Sequence, residues 1–270
     1  MQKMKIIGTL NITPDSFYDG GKYVDTNTAV AHAIKLVKDG ADMIDLGGES
    51  SRPGSKRIST QEELHRIIPV LEKLVVELPD TPISIDTYKP EVADACLEKG
   101  ATLINDITGL RGLGEYTGMA EVVAKHDALI LIMHMQGDPS TMQNDPIYRD
   151  VVQEISDFLM KQVAVARSAG IKDKNIILDP GIGFGKAFKH NLSILKHLDD
   201  FAALGFPILI GTSRKSFIEK ISGLPVEDRL PGTLASAVLA AASGAYAIRV
   251  HDVLAHKHAL EVTEAILRAK

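Results

Sequence analysis

Short apolar runs rich in Ile, Leu and Val recur along this chain, each followed by a longer stretch with the 3.6-residue periodicity of an amphipathic helix. Eight such pairs can be read, with strands starting near Ile6, Met43, Ile83, Thr102, Ala128, Ile176, Ile208 and Ala247. The runs are nearly continuous in hydrophobic residues, as strands buried on both faces require, and that condition belongs to parallel strands joined by covering helices. Eight units in 270 residues match the length at which a (β/α)8 TIM barrel closes. With no linker, low-complexity tract or shift of composition, residues 1–270 are expected to form a single domain. An open doubly wound sheet is the rival architecture; it would reverse its strand order and concentrate unusual residues at one nucleotide loop, whereas here they follow nearly every strand.

Local signals set the phase of the repeat. Ser59-Thr60-Gln61-Glu62-Glu63 opens a long amphipathic helix ending before Pro79, and Pro90-Glu91 starts another that ends at Gly100. Gly40, Gly100, Gly170 and Gly205 precede strands, where a left-handed residue ends a helix. Gly232 to Gly244, rich in Ala, reads as one tightly packed helix.

A net charge of -5 gives no general attraction to nucleic acid or anionic membrane, so any anionic ligand must be met by local cations. No apolar run approaches the ~20 residues that span a bilayer, and the first strand is too short for a signal-peptide core. Cys96, the only cysteine, reads as a buried helix residue and excludes an internal disulfide. A soluble cytoplasmic protein is expected.

In such a barrel the side chains just past the strand ends converge on one mouth, so polar residues there are the functional candidates. The strands end, in order, at Asn11; at Glu49, Ser51 and Arg52; at Asp86; at Asn105 and Asp106; at Met133 and His134; at Asp179; at Ser213, Arg214 and Lys215; and at Arg249, His251 and Asp252. Any one of them could be a helix cap or a buried ion pair. Two loops, Thr13 to Gly21 and Ser50 to Arg57, have the composition of lids. There is no Walker loop, HExxH helix or zinc spacing, and GIGFG follows Asp-Pro without dinucleotide geometry, so it reads as a substrate loop. His126, His197, His256 and His258 are expected on solvated helix faces.

The blocks NITPDSFYDGG, GGESSRPG, SIDTYKPEVA, NDI, MHMQG, DPGIGFGK, SRKSF and RVHDV resemble, in order and spacing, those of the dihydropteroate synthases, over essentially the whole chain. The first, second, sixth and seventh are specific in combination. The resemblance implies an enzyme that joins 6-hydroxymethyl-7,8-dihydropterin diphosphate to p-aminobenzoate with Mg2+, giving 7,8-dihydropteroate and diphosphate. It also implies a homodimer through late helices, with Leu234 to Ala242 a suitable face, and sensitivity to sulfonamides.

Each ligand then has candidate residues. A pterin edge carries an amino group beside a ring N–H, which a carboxylate accepts as it does a guanidinium; Asp179 is assigned to it. By resemblance, Asp86 and Asn105 complete the rim, Met133 packs on the ring, and Lys215 reaches the carbonyl and N5 side. Arg249 and His251, two residues apart on a strand, point to one side and suit the diphosphate. Asn11 offers an oxygen to a Mg2+ held mainly by diphosphate and water. For p-aminobenzoate, Phe17, Pro53, Phe184 and the Lys215 stem are walls, Ser216 offers helix-start amides to the carboxylate, and Ser51 and Arg52 close over it. Asp19 is expected to pair with Arg52 across the loops. Ser51 stands where the family usually has Thr, keeping the hydroxyl without the methyl, and Ala187 where a polar residue is commoner. The chemistry implied is an SN1-like departure of diphosphate, with Lys215, Asp86, Asp179, Arg249 and His251 as the catalytic set.

Two other functions use part of this pattern. A methyltransferase acting on methyltetrahydrofolate could share Asp86, Asn105 and Asp179 but has no need of TPDSFYDGG or SRKSF. A non-catalytic pterin-binding paralogue would not need Asn11, Asp19, Arg52, Lys215, Arg249 and His251 together.

Overall fold

Strands and helices alternate through residues 3–13, 25–51 and 54–269, the residues described by the computed structural model of this protein. The first half runs β1 (Lys5–Asn11), α1 (Thr26–Asp39), β2 (Met43–Gly47), α2 (Thr60–Glu77), β3 (Ile83–Asp86), α3 (Pro90–Glu98), β4 (Leu103–Asp106) and α4 (Met119–Lys125). The second runs β5 (Leu129–Met133), α5 (Val151–Ser168), β6 (Ile176–Asp179), α6 (Phe188–Lys196), α7 (Leu198–Ala202), β7 (Leu209–Ile210), α8 (Ser216–Ser222), α9 (Leu230–Ala242), β8 (Ala247–Val250) and α10 (Val253–Arg268). Every expected strand is present, and each begins within a residue of its expected start.

The strands pair in parallel in the order β6-β5-β4-β3-β2-β1-β8-β7. A parallel bridge between Leu178 and Ile208 joins the two ends, and the Leu178 N–H donates to Pro207 O at 2.9 Å. The sheet therefore closes as a (β/α)8 barrel, and no strand-order reversal of the doubly wound kind occurs. Ile7, Leu103, Leu131, Ile177, Leu209 and Ala247 form a small cluster of their own, as the inward side chains of a closed barrel do. The larger core lies between the strands and the helices, from Ile6, Ile44 and Ile85 to Leu71, Val92, Leu159 and Ala237.

Helix ends follow the local signals. The Ser59 hydroxyl accepts from the Glu62 N–H at 3.2 Å at the start of α2, and Asp25 caps α1 through the N–H groups of Asn27 and Thr28. Gly40, Gly100, Gly170 and Gly205 all have positive φ, between 84° and 110°. Cys96 is fully buried in α3, and burial pushes its thiol up to about 12. Among the described residues no helix is long and apolar enough to cross a membrane.

One histidine departs from expectation. His258 is exposed, His197 is half-buried and His126 is partly buried against Asp94, but His256 is fully buried, with Nδ1 at 2.7 Å from Asp252 O. The reason is phase: Val253, His256, Leu260, Thr263 and Glu264 make the inner stripe of α10.

Candidate active site

Alternation along the strands sends every second side chain into the barrel, and the last inward residues form the floor of its mouth. The pairing register puts Asn11 beside Gly47, Gly47 beside Asp86, Asp86 beside Asn105, and Met133 beside Asp179. Arg249 comes from β8, beside Ile7 of β1. Residues distant in sequence thus share one polar floor.

The centre of that floor is a residue that sequence reading passed over. Asp45, buried within β2, accepts from Ser84 Oγ at 2.5 Å, from Asn105 Nδ2 at 3.2 Å and from Arg249 Nε at 2.5 Å. Arg249 Nη2 then donates to Asp86 Oδ2 at 2.9 Å. Asn105, Asp45, Arg249 and Asp86 are one connected network, and a half-buried guanidinium shared by two carboxylates is held in orientation. Burial pushes Asp86 up to about 7, against the pull of Arg249. The signal was available: Asp45 is a lone carboxylate inside the apolar run MIDLG, where an unpaired charge would be costly.

Asp179 is also buried. Its Oδ1 accepts from the Gly181 N–H at 2.6 Å, while its Oδ2 makes no hydrogen bond among the described residues. Burial pushes its carboxyl up, opposed chiefly by Lys215 and then by the Gly181 N–H. The tight turn that follows needs glycine: Gly181 has φ +71°, and a Cβ there would lie 1.9 Å from His134 O. Met133, next to Asp179 in register, is buried with Tyr88, Ile107, Met135 and Met142, and Phe184 packs against them. It serves as core and as floor together.

Lys215 sits at the start of α8. Its Nζ donates to Ile182 O and lies 4.8 Å from the centre of the Phe184 ring. Burial pulls the ammonium down to about 8, with Asp179 opposing. Behind it Lys186 is buried, its Nζ 2.9 Å from His134 Nδ1, 3.2 Å from His134 O and 2.8 Å from Phe184 O. This ties the loop after β6 to the end of β5 and sets Phe184 in place. His134 is pulled down to about 2 by its burial and then by Lys186, so its ring is neutral and Nδ1 can accept.

Nearer the rim, His251 is exposed, with Nδ1 at 2.8 Å from Ser213 Oγ. Ser216 is the exposed first residue of α8. Ser51 lines a narrow cleft with Glu49, Ser50, Glu63, Asp86, Thr87, Tyr88, Ile107 and Pro139. Phe17, Asp19, Arg52 and Pro53, including the expected Asp19–Arg52 pair, lie outside the described residues.

Other strand-end polar groups hold the frame. Arg214 forks onto Asp252 with two bonds of 2.8 Å and also donates to Val226 O and Glu227 O, tying the β7 and β8 loops together. Asp106 accepts from Thr108 and the Leu110 N–H, shaping the turn after β4. Lys89 is buried between Glu49 and Glu63, 2.6 Å from each.

Known proteins resemble this chain over nearly its whole length. Residues 7–251 match the family model described as pterin binding enzyme. The chain is 44% identical to a dihydropteroate synthase of Clostridium beijerinckii over 268 residues, 99% of this chain and 96% of that relative. A crystal structure of the dihydropteroate synthase from Clostridium difficile in the presence of pteroic acid superposes with a TM-score of 0.92 at 45% identity, covering 99% of this chain and 98% of the other. The Xanthomonas albilineans dihydropteroate synthase with 4-aminobenzoic acid gives a TM-score of 0.92 at 41% identity, covering 99% and 94%. With this likeness along nearly the full length of both chains and the acid–amide floor in place, the protein belongs to the dihydropteroate synthase family of pterin-binding enzymes.

Proposed function

We propose that this chain joins 6-hydroxymethyl-7,8-dihydropterin diphosphate to p-aminobenzoate, releasing 7,8-dihydropteroate and diphosphate. The reading is carried by one juxtaposition: buried acids and an amide beside half-buried cations in a single mouth, with Asp86 and Arg249 in direct contact. Asp179 Oδ2 is available to the amino and ring N–H edge of the pterin, Asn105 and Asp86 flank it, and Met133 forms a flat apolar support. Lys215 reaches the carbonyl and N5 side. Among the described residues Arg249 Nη1 makes no hydrogen bond, so the guanidinium keeps a donor for diphosphate, which His251 meets at the rim. The p-aminobenzoate ring stands against Phe184 and the Lys215 stem, with Ser51 and Ser216 at its polar end.

Bond breaking precedes bond making in this scheme. The methylene C–O bond to diphosphate lengthens, and positive charge spreads into the electron-rich dihydropterin; ionised Asp86 and Asp179 favour that charge. The amine then attacks the methylene and loses a proton to solvent. The chain supplies orientation and leaving-group stabilisation, without a covalent intermediate. The donor set fits Mg2+: the ion would be held mainly by the diphosphate and water, with Asn11 at the end of β1 offering a hard amide oxygen. When bound, the ion neutralises charge on the departing diphosphate. A homodimer through α9 and α10, where Leu239, Leu254, Val262 and Ile266 are exposed, completes the reading.

The test is turnover with each component left out. Product is expected only with both organic substrates and Mg2+ present, and a sulfonamide should compete with p-aminobenzoate. Methyl transfer from methyltetrahydrofolate, or pterin binding with no turnover, contradicts the proposal.

A further inference from the structure

Glu49 and Ile58 are the described roots on either side of the stretch that holds Ser51, and both are held by one side chain from a different βα unit. Lys89, fully buried at the start of α3, places Nζ 2.6 Å from Glu49 Oε2 at the first root and 2.8 Å from Ile58 O at the second. A third bond, 2.6 Å, goes to Glu63 Oε2 on α2. These three acceptors match the three donors of an ammonium. The Tyr88 and Tyr116 rings lie 5.3 and 5.7 Å from Nζ, and the Tyr88 hydroxyl donates to Glu49 Oε1 at 2.9 Å. Burial works to strip the proton from Lys89, but Glu63 and Glu49 outweigh it and the ammonium pKa lies above its ordinary value. The segment is further drawn together by Ser55 Oγ, which donates to Ser50 O at 2.5 Å.

We infer that Lys89 is a positioning residue for the second substrate: by clamping Glu49 and Ile58 O together it fixes where Ser51 stands in the cleft shared with Asp86. The inference rests on the proposed reaction, in which Ser51 faces p-aminobenzoate. The pterin floor is built by Asp45, Asp86, Asn105 and Asp179, none of which bonds to Lys89. Loosening the clamp therefore acts on one substrate and spares the other. Glu63 is the anchor that keeps the lysine charged and pointed at the roots, so it belongs to the same device although it touches neither root.

Two variants separate this from a purely structural role. Glu49→Gln keeps the buried Lys89–Glu63 pair while weakening the link to the first root. Lys89→Met combined with Glu63→Gln removes the clamp without changing the net charge of the cluster. Each is expected to raise KM for p-aminobenzoate at least about tenfold, as a displaced contact residue does, and to leave dihydropterin diphosphate binding within about twofold of the parent. Hydrogen exchange should quicken in peptides covering 49–58 while the barrel strands stay protected. If the double variant does not fold, Glu49→Gln decides alone. An unchanged p-aminobenzoate KM in a folded variant overturns the inference, as does an equal loss for both substrates. A parent protein that shows no coupling at all overturns the proposed reaction instead.

Discussion

Asp179→Asn lowers kcat/KM for dihydropterin diphosphate by roughly a thousandfold, on the expectation that two charge-assisted hydrogen bonds worth ~1.5–3 kcal/mol each are lost at the pterin edge. The carboxylate can accept from both neighbouring N–H groups of that edge; the amide presents one oxygen and one NH2 and turns a donor toward a donor. The Gly181 N–H can still bond to the amide oxygen, and the side-chain volume is unchanged, so the turn after β6 survives. Burial already disfavours the Asp179 charge, so its neutral replacement should not cost the fold. Steady-state kinetics with both substrates, beside a denaturation midpoint, checks the two halves of this expectation. A rate near that of the parent shows that Asp179 does not hold the pterin.

The second large effect is expected at Lys215. Its ammonium carries three donors; Ile182 O holds one, and the others face a mouth that also contains Asp179 and Phe184. Lys215→Ala removes a preorganised donor and the aliphatic wall together, and the coupling rate should fall by roughly a hundredfold or more. The pH profile identifies the charge as the working feature. Burial lowers the folded-state value to about 8, against an ordinary 10.5, so the ammonium is present below about 8 and lost as pH rises through it. The parent rate should therefore fall along a limb centred near that pH, and the residual rate of the alanine variant should lack that limb. A flat parent profile up to pH 9.5 would leave the charge of Lys215 without a role.

Sequence made the barrel legible because burial on both faces leaves a mark: apolar runs such as Leu129–Ile132 or Ile176–Leu178, recurring in nearly continuous form along the eight strands. The mouth was legible for a related reason. Polar residues such as Asp86, Asn105 and Asp179 terminate those runs, and strand alternation turns them inward. What lay deeper was harder to read. Asp45 stands two residues before the end of its strand, where an isolated charge looks like a turn residue misplaced, and its function is visible only once Arg249, Ser84 and Asn105 are brought to it from other strands. The same holds for Lys89 and Lys186, whose neighbours in sequence say nothing of Glu49, Glu63 or His134. His256 failed for another reason: its polarity suggested solvent, while its place on the inner stripe of α10 required burial. Periodicity outranked residue type there.

Three of these missed residues share a character. Asp45, Lys89 and Lys186 are charged groups that bond to partners brought from another βα unit, whereas His256 bonds to Asp252 O of its own unit. The distinction between Arg214, forked onto Asp252 as a strut, and Arg249, placed between Asp45 and Asp86 with a donor in reserve, likewise appears only in three dimensions. An arginine in the loop after β7 serves structure, while one within β8 meets ligand in the proposed reaction.

The decisive measurement is a crystal structure with 6-hydroxymethyl-7,8-dihydropterin diphosphate bound. The amino and ring N–H edge should lie within hydrogen-bonding distance of the Asp179 carboxylate, over Met133, with the phosphates beside Arg249 and His251. A pterin seated with that edge away from Asp179, or phosphates lodged elsewhere than at Arg249, would contradict the division of the mouth into an acidic floor for the heterocycle and a basic side for its leaving group.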